Sequence, residues 1–307
     1  MNLMKKKIIN NACSIVFHNL HSNNSIKVHG SVSDKKLKKI IIYLKNEYNL
    51  LDADIYLNKI INKTLKKNDV CLSFDDGLKS QSEIALPILE KNNLKAFFFV
   101  FSEPFESKIS NLELYKFFRS TKFKKIDYFY NEFNYYCESY FDMKIIKKEF
   151  NNKNYLIKFK FYTKADRFFR YLRDKILSDK NYNLIMRKMM KDKKFNSNLI
   201  AKRLYLSIKD LKKIHNNKHI IGLHSHSHPT NINDINYKNQ YKEYITNKDI
   251  IEKILNNKIH VMAHPCGKFN NQTIKVLKKL NIQAGYGITV NNNSDLYNLS
   301  RLDCAYF

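Results

Sequence analysis

The chain has 307 residues, 44% of them hydrophobic, and 55 Lys and Arg against 28 Asp and Glu give a formal charge of +27. The hydrophobic fraction excludes a wholly disordered chain and suffices for one barrel-sized core. The charge raises nucleic acid or an anionic membrane as partners. The lysines are nevertheless spread along the chain without a basic block or an RNA-binding signature, so nucleic acid is disfavoured and a solvated basic surface preferred. Five cysteines (Cys13, Cys71, Cys137, Cys266 and Cys304) form no CxxC pair and leave one over. This argues against a disulfide framework and for a reducing compartment.

In chain order, the first stretch carries signal-peptide-like lysines, but its apolar part is broken by Asn10 and Asn11 and ends at His18 without a cleavage site. No run approaches the roughly 20 apolar residues of a membrane span, so a cytoplasmic protein is expected. Residues 14–17 are a short apolar run. Residues 34–46 have helical spacing (Leu37, Ile40, Ile41, Leu44) with Asp34 as the expected cap. A strand is predicted at 70–74, a helix at 81–91 and a strand at 96–101.

Residues 103–205 break this rhythm. They are rich in Phe, Tyr and Lys and read as helices, for example KADRFFRYLRDKIL and YNLIMRKMMK. They are expected to be an insertion over one end of the fold, either a substrate-selecting cap or an added stabilising layer. Alternation then resumes with a helix at 208–216 capped by Ser207, a strand at 219–223, a helix at 240–255, a strand at 260–263, a helix at 271–280 and a strand at 284–289. The pattern predicts an α/β fold with a mostly parallel sheet, open or closed into a barrel. It divides into 1–102, the insertion 103–205, and 206–307.

Chemistry concentrates at three predicted strand ends. CLSFDDGLKS at 71–80 runs an apolar strand into Asp75, Asp76 and Gly77. Adjacent side chains at a strand end diverge, so one carboxylate can bind a metal while the other faces water, and the glycine permits a tight turn. Alone, DDG is also an ordinary way to leave a strand. GLHSHSHPT at 222–230 places three imidazoles at alternate positions. His224 and His228 are four apart, so one helical turn would bring both within reach of one ion, and Pro229 would stiffen the turn. VMAHPCGKFNNQTIKVLKKL at 261–280 is a strand–turn–helix junction through Pro265 and Gly267. All three follow strands, on the face where parallel α/β barrels assemble their sites.

SFDDG, HSHSHP and AHPCG, in this order, resemble the leading motifs TFDDG, H[ST]xxHP and RxPxG of the polysaccharide deacetylase family, the NodB-homology or carbohydrate esterase 4 group. The resemblance covers roughly 10–101 and 206–307, and the closing NLSRLDCAYF resembles the ends of bacterial members from surface-glycan pathways. It implies a distorted (β/α) barrel of the NodB type with a large helical insertion. It also implies a divalent metal, zinc foremost, held by Asp76, His224 and His228, with Asp75 as general base. The Cys266 N–H would hold the oxyanion, with Pro265, Gly267 and Arg301 grouped on that substrate side. The implied reaction is hydrolysis of an N-acetylated sugar, free or as a nucleotide- or lipid-linked precursor. The basic surface suits a phosphorylated carrier or a peripheral contact with an anionic membrane.

Two departures stand out. The arginine of RxPxG is Ala263 here, leaving Arg301, Arg167 or Arg170 to replace it. No histidine follows His264, so the family's late Leu-x-His is missing, and His264 and His18 become the candidates for general acid. His226 reads as solvent-facing in preference to supporting the ligands, and Cys266 as a neutral thiol packed near the metal. The alternatives are a catalytically impaired glycan-binding protein on the same fold, or another metal-dependent amide or formamide hydrolase.

Overall fold

Strand β1, Cys13–Phe17, is buried along its whole length, as a continuous apolar run requires when both faces of a parallel sheet are covered. The computed structural model describes residues 8–106, 110–160, 162–201 and 203–307, so the charged start of the N-terminal stretch falls outside it. Leu20–His21 (β2) and Val32–Ser33 (β3) form a small parallel pair. The remaining strands are Asn49–Leu50 (β4), Asp69–Phe74 (β5), Phe97–Val100 (β6), Ile220–Leu223 (β7), Val261–Ala263 (β8), Ala284–Tyr286 (β9) and Arg301–Asp303 (β10).

The main sheet runs β10-β1-β5-β6-β7-β8-β9 with β4 beside β5, and every pairing is parallel. Its two ends nearly meet. Leu299 bridges Tyr286, Gly287 N donates to Leu299 O at 2.9 Å, and Arg301 N donates to Thr289 O at 3.3 Å. The result is a nearly closed parallel barrel with crossover helices, the distorted (β/α) barrel expected.

Two-residue alternation sorts the strands' side chains. Cys71, Phe97, Phe99, Val261, Ala263, Ala284 and Tyr286 form one cluster. Leu72, Phe74, Phe98, Val100, Leu223 and Met262 form the other, packed with helix residues such as Leu37, Leu86, Leu211, Tyr244 and Leu277. The first cluster is therefore the barrel interior and the second the layer beneath the helices. Asp75 continues the Cys71–Ser73 alternation, so its side chain belongs to the interior face at the strand's C-terminal end.

The helices follow their sequence signals with local corrections. Asp34–Glu47 is capped by Ser33, whose Oγ accepts from Lys36 N, while Asp34 pairs with Lys38. The helix predicted at 81–91 opens as a π-turn, Gln81–Ala85, before Leu86–Lys91. Ile208–Asn216 has the capping box of Ser207 and Asp210, and Tyr237–Leu255 begins three residues early at an Asn236 cap. Strand β9 stops at Tyr286, short of the predicted 289. The helix Ala53–Ile61 and strands β2, β3, β4 and β10 were not anticipated.

Residues 111–202 form a compact unit of their own, separate from the barrel unit on either side of them in the chain. Its helices are Asn111–Thr121, Ile126–Cys137, Met143–Asn151, Lys164–Tyr171 with the π-turn Leu172–Ile176, Asp179–Asp192 and Ser197–Ala201. Phe118, Phe129, Phe133, Phe169 and Met189 are buried within it. Among the described residues no helix is long and apolar enough to cross a membrane.

Candidate metal centre and active site

The site gathers at the C-terminal ends of β5 and β7. Asp75 N extends the ladder by donating to Phe17 O at 2.9 Å. The chain then turns sharply through two left-handed residues, Asp76 (φ 74°) and Gly77 (φ 58°). A Cβ at Gly77 would lie 2.7 Å from Val100 Cγ1, so any other residue would clash as well as strain. Gln81, from the π-turn, donates to Asp75 O at 2.5 Å and His18 O at 3.2 Å and so fixes the turn.

Asp76, His224 and His228 converge. All three are buried, and one ligand atom from each lies within 4.8 Å of the others. Asp76 Oδ1 is 3.4 Å from Nε2 of His224 and 3.4 Å from Nε2 of His228. Ligands about 2.0–2.1 Å from a tetrahedral ion lie about 3.3–3.4 Å apart, so the spacing fits one. The donor chemistry fits too. His224 Nδ1 lies 2.8 Å from Ala263 O, which places its proton there and leaves the Nε2 lone pair facing Asp76. Asp76 Oδ1 is buried and receives no hydrogen bond. Acceptors aimed at one another without a donor are what a bound cation resolves.

Electrostatics agree with that grouping. Burial raises the Asp76 carboxyl, but the facing His224 and His228, with His18, outweigh it and hold the group well below the usual carboxylate range. Burial likewise pushes the His228 imidazole down to about 4 against the pull of Asp76. His224 is moved the other way: burial opposes its protonation, yet Asp75 and Asp76 raise it. Four non-glycine residues here have left-handed backbone: Asp76, Ser225, His228 and Cys266. Such strain persists only where the surroundings over-determine it.

Arg301, the first residue of β10, lies inside the barrel and is 1% exposed. Its Nη1 is 2.7 Å from both oxygens of Asp75, and its Nε donates to Gly287 O at 2.5 Å. Of the three candidates for the missing motif arginine, this is the one that meets Asp75. The guanidinium is enclosed against the Asp75 carboxylate. Arg167 and Arg170 belong to the helical unit, where Arg167 donates to Tyr155 O and Arg170 pairs with Asp166 over the Tyr162 ring.

The histidines separate. His264 is fully buried and stacks on Phe269 with centroids 4.3 Å apart. Its Nε2 is 2.7 Å from Tyr297 O, so its one N–H points there, and burial lowers the ring to about 4. An imidazole held this way has no proton directed at a substrate. His18 is half-buried just beyond β1, close enough to Asp76 to act on its charge. His226 is not solvent-facing: its Nδ1 is 3.0 Å from Ser102 Oγ and its Nε2 3.6 Å from Glu106. Pro265, Cys266 and Gly267 form a 3-10 turn after β8, with Pro265 buried and the Cys266 side chain exposed, not packed as expected. Sequence reasoning missed Gln81, Glu243 and Asn247, whose side chains bond the backbone on which Asp75 and His224 stand. Their only sequence signal is position on a helix facing a strand end.

No curated protein sequence matches the chain. Among solved structures it resembles the deacetylase PplD of Streptococcus pyogenes in complex with acetate, at TM-score 0.57 and 15% identity over 96% of this chain and 92% of that one. It also resembles a de-N-acetylase from Aggregatibacter actinomycetemcomitans, at TM-score 0.58 and 13% identity over 95% of each chain. IcaB from Ammonifex degensii gives TM-score 0.56 and 12% identity over 95% of this chain and 91% of that one. At such identities these likenesses bear on the fold. The family model for polysaccharide deacetylase matches residues 62–117 and 185–285, which hold Asp75, Asp76, His224, His228 and the turn after β8. The chain belongs to the polysaccharide deacetylase family, hydrolases that cleave the N-acetyl amide bonds of carbohydrates.

Proposed function

We propose that this protein hydrolyses the N-acetyl group of an amino sugar with a divalent ion, zinc foremost, held by Asp76, His224 and His228. One observation carries the reading: Asp76 Oδ1, buried and without a hydrogen-bond partner, lies 3.4 Å from Nε2 of both His224 and His228, and the three atoms fall within 4.8 Å of one another. When bound, such an ion polarises the acetamide carbonyl and makes water more acidic.

The remaining roles fall to the chain's own groups. Asp75 takes the proton of the attacking water, and Arg301 fixes the direction in which its carboxylate points. His224 is held in one tautomer by Ala263 O. The Cys266 N–H, in the turn after β8, supports the oxyanion. His18 is the histidine left to protonate the departing amine, since His264 gives its N–H to Tyr297 O. A cytoplasmic, nucleotide- or lipid-linked precursor is proposed as substrate. The odd cysteine count without CxxC, and a +27 charge suited to a phosphorylated carrier or a membrane surface, support it.

The glycan-binding alternative rested on a missing arginine and a missing late histidine. Arg301 beside Asp75 removes the first of these supports. The test is acetate release from a panel of N-acetyl sugars, supplied with zinc or cobalt. We expect release, and a loss in kcat of about 10²–10⁴-fold in Asp75→Asn. Metal-loaded protein that binds a glycan without releasing acetate would overturn the proposal in favour of the binding protein. Formate or ammonia would do so in favour of another amide hydrolase.

A further inference from the structure

The segment joining the two ligand imidazoles has an awkward backbone. Ser225 (φ 62°) and His228 (φ 55°) are both left-handed, and neither is glycine. Its one internal aid is a bond from His228 N to Ser225 Oγ at 3.1 Å. Two disfavoured residues in four would relax unless bonds from outside held them.

Those bonds come from the helix Tyr237–Leu255. Glu243 Oε2 accepts from His226 N at 3.0 Å and Ser227 N at 2.8 Å, and its Oε1 accepts from Ser227 Oγ at 2.8 Å. All three of its hydrogen bonds go to this segment. One turn further along the same face, Asn247 Oδ1 accepts from His224 N at 3.0 Å, and its Nδ2 donates to Val100 O at 3.1 Å. The i, i+4 pair thus grips the backbone from His224 to Ser227. Opposite Glu243, His226 fastens the same residues to the end of β6. Its carbonyl accepts from Glu103 N at 2.9 Å and its ring meets Ser102 Oγ. The middle histidine of HSHSH therefore serves as a staple.

We propose that Glu243 is a positioning residue for the metal centre. It fixes the backbone of residues 226–227 so that His224 and His228 present Nε2 to the same point as Asp76. The inference rests on the metal reading above and extends it to a residue outside the three family motifs. Glu243 has no role in proton transfer. It acts through three donors on the segment; a carboxamide can keep the two N–H bonds on its one oxygen, but it must reverse the bond to Ser227 Oγ and brings no charge to strengthen any of them.

The test is metal affinity of the full chain, measured by competition of zinc with a chromophoric chelator, for wild type, Glu243→Gln and Glu243→Ala. The thermal midpoint of each metal-free protein is measured alongside. We expect zinc affinity to fall about 10–100-fold in Glu243→Gln, with a metal-free midpoint close to wild type. Activity lost at limiting zinc should return at excess zinc, a recovery that a damaged fold does not show. Wild-type affinity in both variants overturns the proposal. So does an affinity loss that appears only together with a lowered metal-free midpoint, because Glu243 would then be structural. If the wild type itself binds no zinc or cobalt, the metal centre falls, and this inference with it.

Discussion

Among the described residues two arginines are buried, one in each unit, and they are buried differently. Arg301, inside the barrel and 1% exposed, has its charge met by both oxygens of Asp75 at 2.7 Å and its Nε by Gly287 O. Arg119, in the helical unit and 7% exposed, lies 5.3 Å from the centre of the Phe169 ring, and its Nε has no hydrogen-bond acceptor. Its neighbours Arg170 and Arg173 are engaged by Asp166 and Asp174. Burial of a cation therefore says little by itself. A charge enclosed with a matched carboxylate at a strand end marks chemistry, whereas one lodged against an aromatic cluster marks packing.

Breaking the barrel pair should have the largest effect. Arg301→Met leaves the Asp75 carboxylate buried without its partner, so we expect about 3–5 kcal/mol of stability to be lost. Deacetylase activity should fall at least about 100-fold as Asp75 loses its direction. Denaturant unfolding together with kcat/KM checks both. A stable, active Arg301→Met protein would show that Asp75 is held by something else.

Metal removal should come next. A bound cation would satisfy the bare acceptor Asp76 Oδ1 and help hold the strained backbone of Ser225 and His228 in place. Zinc at 100 times its dissociation constant contributes about 2.7 kcal/mol. We expect chelation to lower the thermal midpoint by about 5 °C or more, zinc to restore it, and His228→Ala to show no such response. Differential scanning calorimetry with and without chelator decides the matter.

A smaller effect should follow pH. Asp210 binds Lys79 at 2.7 Å and Ser82 at 3.0 Å, and caps its own helix through Ser207, tying the turn after Asp76 to Ile208–Asn216. Burial raises its carboxyl, but Lys79 and the serine donors outweigh this and hold it at about 2. A lowered native pKa gives stability that is complete above the unfolded value of 3.8 and lost as pH falls from about 4 to 2. Lys79 is one-third exposed, so the effect is put at about 1 kcal/mol. Asp210→Asn should remove that part of the acid dependence in urea titrations between pH 5 and 2.

How far these features were legible in the sequence depended on how local their causes are. Alternating apolar runs and helical spacing are local, so the strands at 70–74 and 96–101 and the helix at 208–216 could be read directly. The grouping of Asp76 with His224 and His228 was legible because DDG and HSHSHP each hold their side chains within a few residues. Strand β10 was not, since Arg301–Asp303 is only three residues long and alternates weakly. Arg301 could be named as a substitute but not chosen, because its bond to Asp75 spans 226 positions. His264 misled for a related reason: a histidine just after a strand looks available, and only the fold brings Tyr297 O to its N–H.

Arg119 supplies the smallest expected effect and the sharpest contrast. A guanidinium whose Nε lacks an acceptor keeps part of the cost of leaving water and recovers only some of it from the Phe169 ring. Burial, with Arg170 and Arg173 nearby, lowers its basicity accordingly. Methionine fills a similar volume, keeps the contact with the aromatic cluster and carries no charge to bury. Replacing a buried ionic group by a well-packed apolar one is often neutral or stabilising. We therefore expect Arg119→Met to change stability by less than about 1 kcal/mol or to raise it, with zinc affinity unchanged. A loss comparable to that of Arg301→Met would mean that Arg119 meets an acceptor in solution, and the contrast between the two units would have to be redrawn around that partner.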